Sequence, residues 1–213
     1  RELVVPWGSS LTIEPGVTVE FDAGAALVVR GRLTARGTPE QRIEMGVRQG
    51  QRSWGGIHFE HSRARSELHH VDISSACERG RAVFVEHSSA RLHDVRWSDT
   101  KCTAIRVLEP DLVISDCRFP DTGRAEVIFG AGIDPTGELV VRGCEFAATS
   151  GKDIIDLQGG AASGRLFQAI DNTFLGGQDD GIDLDGTDGL LEGNRFMNFH
   201  VGPRNSSTAN AVS

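Results

Sequence analysis

Apolar residues in this chain alternate with polar ones in short runs, and the runs return at nearly regular intervals. One phrase reads Ser66-Glu-Leu-His-His-Val-Asp-Ile73, then Ala90-Arg-Leu-His-Asp-Val-Arg-Trp97, and comes back over 111–119, 138–146, 167–174 and 190–196. Its last apolar position moves from Ile73 to Trp97, Phe119, Phe146, Phe174 and Phe196, in steps of 24, 22, 27, 28 and 22 residues. A second phrase falls between the copies of the first. It reads Gly56-Ile-His-Phe59, Ala82-Val-Phe-Val85, Ala104-Ile-Arg-Val107, Glu126-Val-Ile-Phe129, Ile154-Ile-Asp-Leu157 and Gly181-Ile-Asp-Leu184, and Ala211-Val212-Ser213 starts a seventh copy. Alternation with period two reads as strand, and Gly, Asp, Asn and Ser punctuate the runs as turns do. Two or three short strands per repeat, with no helix between them, describe one rung of a β-solenoid.

One rung cannot bury its own apolar side. Stacking rungs ~4.8 Å apart makes a continuous core and lines up equivalent positions as columns. The predicted fold is all-β, a single-stranded parallel β-helix of roughly eight coils. The Ile/Trp/Phe positions form an aromatic column inside the tube. Two residues earlier runs a second column, Val71, Val95, Cys117, Cys144, Asn172 and Asn194. In it Asn172 and Asn194 suggest a short ladder of side-chain amides bonded from rung to rung. Cys117 and Cys144 read as buried thiols. Cys77 and Cys102 follow their strands at similar offsets, so stacked thiols and a bridge both remain open.

The opening coils are Leu11–Phe21 and Leu27–Ala35, a turn at Arg36–Pro39 precedes Ile43–Met45, and Gln49–Ser53 and Ala161–Gly164 read as loops. Residues 1–213 read as one domain. The chain opens at Arg1 without Met and stops inside a coil, which predicts a piece of a longer protein, truncated at both ends and joined to other domains.

Composition narrows the function classes. No apolar run reaches the ~20 residues of a membrane span. The net charge is −8, with no basic face in the sequence, which argues against a nucleic-acid partner. Residues 150–195 hold nine acidic side chains against Lys152, Arg165 and Arg195, so most of the excess charge sits there.

The stretch "LTIEPGVTVEF…LVVRGRLTARGTPEQRIEM…WGGIHFE" over 11–60 resembles the opening of bacterial secreted right-handed β-helix proteins of the pectate-lyase-like superfamily. "NTFLGGQDDGIDLDGTDGLLEGNRFMNF" over 172–199 is similar to β-helix regions beside spore-coat-type kinase domains in large bacterial secreted proteins. The resemblance spans nearly the whole chain. It implies a right-handed coil and a secreted or cell-surface bacterial location. The fold hosts lyases, hydrolases, adhesins and inert stalks alike, so it does not imply one activity.

The acidic segment carries the candidate chemistry. Strand alternation sends Ile155, Leu157, Ile182 and Leu184 inward and Asp156, Asp183 and Asp185 outward. Asp153 and Asp180, like Asp156 and Asp183, are one coil apart and should stack. Carboxylates ~5 Å apart repel by roughly 1–3 kcal/mol per pair, so they must spread, take up protons or hold a cation. Several carboxylates without Cys or His suit Ca²⁺, with Asp153, Asp156, Asp180, Asp183 and Asp185 as the expected ligands. No organic cofactor is implied.

Asp180-Gly-Ile-Asp183 also resembles part of the catalytic motif of polygalacturonases, which implies Asp180 and Asp183 as catalytic carboxylates. The next coil offers Ser207–Ala211 without a pair of aspartates, and neither Gly-His-Gly nor Arg-x-Lys follows. A Ca²⁺-dependent lyase needs a base near the metal, and Lys152 is the lysine at hand. Trp54, His58 and Arg106 are candidate carbohydrate contacts. His61 and His87 share their expected face, and the adjacent pair His69-His70 points to opposite faces and does not chelate. The expected function is an extracellular, Ca²⁺-stabilised scaffold that binds polysaccharide or a cell-surface glycan without catalysis of its own. The alternative is a polysaccharide lyase or glycoside hydrolase centred on Asp153, Asp156, Asp180 and Asp183.

Overall fold

Trp97, Phe119, Phe146, Phe174 and Phe196 stand face to face in one column, with successive ring centroids 4.5, 4.7, 4.7 and 4.6 Å apart. That spacing is the distance between neighbouring parallel strands, so each ring belongs to the coil above the last. The computed structural model describes residues 1–199 and Val212. It is an all-β parallel β-solenoid of about eight turns. Its one helical segment among the described residues is a 3₁₀ turn at Gly160–Ser163, where the sequence predicts a loop.

Two sheets carry the coils. The eight-stranded sheet runs from Glu2–Val5 through Ala26–Val29, Gly56–Glu60, Arg81–Glu86, Thr103–Leu108, Ile128–Ala131 and Ile155–Gln158 to Ile182–Asp185. The fourteen-stranded sheet covers the rest of each coil in two segments, which the long strands Ser66–Ser74 and Ser89–Ser98 join. Every pairing among these strands is parallel and one coil apart, as in Asp156 with Asp183 and Val141 with Ala169. Val212 bridges Ile182 in the same way, in line with a seventh copy of the second phrase; Ala211 and Ser213 lie outside the described residues.

The two segments of the larger sheet meet at a bend whose residues hold a left-handed backbone in coil after coil. They are His70, Asp94, Asp116, Gly143, Asp171 and Gly193, with φ of 52°, 45°, 55°, 61°, 53° and 65°. Gly, Asp and His tolerate this region best, which is why they recur there. The residue after each bend turns inward and builds the predicted second column. Val71, Val95, Cys117, Cys144 and Asn172 are all buried. Cys117 and Cys144 are free buried thiols, while Cys77 and Cys102 are joined by a disulfide with Cα atoms 5.7 Å apart.

One register differs from the sequence reading. Ile105 pairs with Ile128 and Val107 with Gly130, so the fourth copy of the second phrase begins at Val127, one residue later than Glu126-Val-Ile-Phe129 suggests. Phe129 therefore points outward, and Gly130 takes the inward position. A side chain at Gly130 would collide with the carbonyl and side chain of Val107, so glycine is required there and interrupts the apolar alternation.

Candidate metal centre

The outward row of the eight-stranded sheet runs Val28, His58, Phe84, Arg106, Phe129, Asp156, Asp183. Its character changes along the axis, from apolar and basic to acidic. Asp156 and Asp183 are direct partners on adjacent strands, as the 27-residue interval predicts, and Asp185 pairs with Gln158 two positions further on. Ile155, Leu157 and Ile182 are buried beneath them.

Three carboxylates converge at the turn that leads into these strands. One oxygen from each of Asp153, Asp179 and Asp180 lies within 4.8 Å of the others. The backbone draws the turn together, since the Asp180 amide donates to Asp153 Oδ1 at 2.9 Å and the Ile154 amide to the Asp180 carbonyl at 2.9 Å. Asp153 and Asp180 belong to the predicted ligand set; Asp179, which flanks Asp180 in the turn, does not. Asp156, Asp183 and Asp185 lie outside this group, because strand geometry spreads them along the face while the turn folds Asp179 back toward Asp153. The signal in the sequence was the doublet Asp179-Asp180, of which strand alternation can place only one member.

Crowding shows in the proton equilibria. The Asp153 carboxyl is pushed up to about 6, first by burial and then by the charges of Asp179, Asp180 and Asp183. Burial raises Asp156 too, with Asp183 and Glu126 adding repulsion, and burial with Asp180 raises Asp179. All three shifts run in the direction that an added cation would reverse.

Lys152 is placed against its role as a base. Its ammonium reaches Glu126 Oε1 at 3.2 Å, and that hydrogen bond raises its pKa above the ordinary value. A lysine that is to accept a proton at neutral pH needs the opposite shift.

The three residues expected to contact carbohydrate lie in different surroundings. Trp54 is fully buried, stacked on Phe21 with centroids 4.0 Å apart, and its indole N–H donates to the Ser74 carbonyl at 2.8 Å. His58 is also buried, packed edge-on to Phe84. Its Nε2 donates to the Gly55 carbonyl at 3.1 Å, which leaves Nδ1 to face Arg79. Burial, then Arg81 and Arg79, lowers its pKa to about 4, so the ring is neutral at pH 7. Arg106 alone of the three is exposed, its guanidinium over the Phe129 ring at 5.4 Å. A strand residue is placed inside or outside by pattern, but His58 shows that an outward position can still be covered by its neighbours.

His61 and His87 stack with centroids 5.0 Å apart, and His87 Nδ1 lies 3.3 Å from Glu109 Oε2. His69 meets His93 edge-on, and His70 reaches Asp94 at 2.8 Å. Among the described residues, no group of three metal-ligating side chains includes a histidine. Ser207–Ala211, the coil that would continue the acidic face, lies outside the described residues. No helix of the described residues is long and apolar enough to cross a membrane. Comparison with protein-family models, curated proteins and solved structures gives no match to this chain.

Proposed function

We propose that this chain is a secreted bacterial cell-surface module of the pectate-lyase-like kind. In this reading it is a rigid β-solenoid that holds Ca²⁺ at Asp153, Asp179 and Asp180 and binds or presents itself to polysaccharide, without catalysis of its own. The observation that carries the reading is the convergence of those three carboxylates at one turn. Oxygen ligands without Cys or His suit a hard cation, and water and carbonyl oxygens complete a Ca²⁺ shell readily. The Cys77–Cys102 disulfide supports an oxidising location. A bound ion would clamp the 153 turn to the 180 turn and so stiffen the later coils.

Calcium titration by calorimetry, with melting temperature followed in parallel, tests this. At a hundredfold excess over Kd, binding to the folded state adds about 2.7 kcal/mol, which raises Tm by roughly 5–10 °C for a chain of this size. Asp153→Asn keeps an acceptor for the Asp180 amide and removes the charge, so it should abolish the calcium response and leave the fold intact. No heat and no change in Tm with the unaltered chain would remove the idea.

A second reading rests on Asp153 itself. A carboxyl raised to about 6 beside other carboxyl groups is what a general acid of a glycoside hydrolase needs. Reducing ends or unsaturated products released from acidic polysaccharides, and lost in Asp153→Asn, would favour that enzyme over the scaffold.

A further inference from the structure

Arg63 and Arg65 lie well away in sequence from any acidic motif, yet the coils set them beside Arg32 in a cleft of about 660 Å³. Ser89, Asp111 and Asp134 complete the part of the lining that matters chemically. Arg36, also there, is taken up by Glu67, whereas Arg32, Arg63 and Arg65 make no ion pair among the described residues. The acids are engaged elsewhere. Asp111 binds Arg91 at 3.1 Å and the Ser89 hydroxyl at 2.6 Å. Asp134 accepts from the Thr136 hydroxyl at 2.7 Å and amide at 2.8 Å, which with the more distant Arg63 charge keeps its pKa low.

The loop that carries Arg63 and Arg65 is fixed from both sides. Ser62 is buried; its amide donates to Ser88 Oγ at 2.9 Å and its hydroxyl reaches the Gly31 and Ala64 carbonyls. Ser66 is buried too, and accepts the Leu33 amide at 3.0 Å. The two guanidinium groups therefore start from an anchored backbone, with their heads exposed and free to take an anion in a bidentate fork.

A second hollow of about 520 Å³ shares Arg32 and Arg63 with the first and holds Trp7, which is 67% exposed. The Arg30 guanidinium sits 5.7 Å from the Trp7 ring centre and is itself held by Glu60 at 3.2 Å. An exposed indole backed by a fixed cation is a platform for the flat face of a sugar ring. The Ser9 and Ser10 hydroxyls in the same hollow offer partners for sugar hydroxyls.

We propose that the two hollows form one groove for an acidic glycan. Trp7 takes the face of one sugar, and Arg63 and Arg65 take carboxylate or sulfate groups of its neighbours. The proposal rests on the glycan-binding part of the function given above and not on the cation, which belongs to later coils.

Calorimetry on the full chain with four probes tests it: a uronic-acid hexasaccharide, a sulfated hexasaccharide, a neutral hexasaccharide and a single-stranded oligonucleotide. The acidic sugars should bind, the neutral one at least ~10-fold more weakly, with affinity falling as salt rises. The stronger of the two acidic probes identifies carboxylate or sulfate as the anion recognised. Arg63→Ala with Arg65→Ala should lose ~10-fold or more, and Trp7→Ala should weaken every sugar. Circular dichroism and Tm verify that the variants are folded. Binding that these variants leave unchanged would move glycan recognition to another face and overturn the groove alone. Equal affinity for the neutral sugar, or tighter capture of the oligonucleotide, overturns it as well. If no sugar binds, the groove and the glycan-binding reading fall together.

Discussion

Asn172 Oδ1 accepts the backbone amide hydrogen of Cys144, one coil away, at 2.9 Å. The same side chain donates through Nδ2 to the Val141 carbonyl and to Asn194 Oδ1, each at 2.9 Å. Asn194 Oδ1 also takes the Asn172 amide at 3.0 Å. At the Cys144 and Asn172 bends the ladder amide is thus satisfied by an asparagine side chain from the next coil. Two coils before Cys144 a thiol does the same work, with the Val95 amide 3.4 Å from Cys117 Sγ.

Replacing Asn172 by alanine should therefore destabilise the chain by about 2–4 kcal/mol, since buried backbone groups lose their partners. The melting temperature should fall by roughly 5–12 °C. Asn172→Cys, which restores a weak acceptor, should lose clearly less. Equal Tm values for the two variants would show that the loss came from packing and not from the amide it satisfies.

The Cys77–Cys102 bridge closes a loop with a sequence separation of 25. Chain entropy assigns such a loop about 3.5 kcal/mol. Replacing both cysteines by serine should lower Tm by roughly 6–12 °C. Thiol labelling without reductant should find no reactive thiol in the folded chain and two on unfolding, because Cys117 and Cys144 are buried and free. Four thiols on unfolding would mean that the bridge does not form.

His58 and Asp153 bend the pH dependence in opposite senses. The pKa of His58 falls from 6.5 to about 4 on folding, so the unfolded chain binds more protons between those values. Its contribution is full above pH 6.5 and is lost as pH falls toward 4. Asp153 rises from 3.8 to about 6, so its contribution is full below 3.8 and is lost as pH rises through 6. His58→Gln should flatten the acid limb of a Tm scan by ~3 °C or more between pH 6.5 and 4. In calcium-free buffer Asp153→Asn should be at least as stable as the unaltered chain at pH 7, and the difference should shrink toward pH 4. Matching scans for all three proteins would show that neither group titrates as its surroundings dictate.

The solenoid, its aromatic column, the asparagine ladder and the pairing of Asp156 with Asp183 follow from the sequence alone. Each depends only on period-two alternation and on the length of one coil, and both are written along the chain. Gly130 marks the limit: its apolar slot holds no side chain, so the repeat reads one residue early along the chain, and the close approach of Val107 sets the true register.

What the tertiary structure decided is everything that turns and neighbouring coils bring together. Asp179 joins Asp153 because the chain bends at 178–179, and alternation says nothing about bends. Trp54 and His58 are covered by Phe21 and by Phe84 with Arg79, contacts set by side-chain packing across coils. Arg32, Arg63 and Arg65 become one cationic wall, and Trp7 its open platform, where loops fold against a corner of the tube. A repeat specifies the positions that must stack to bury the core; the groups that face solvent are constrained only by where the finished coil happens to aim them.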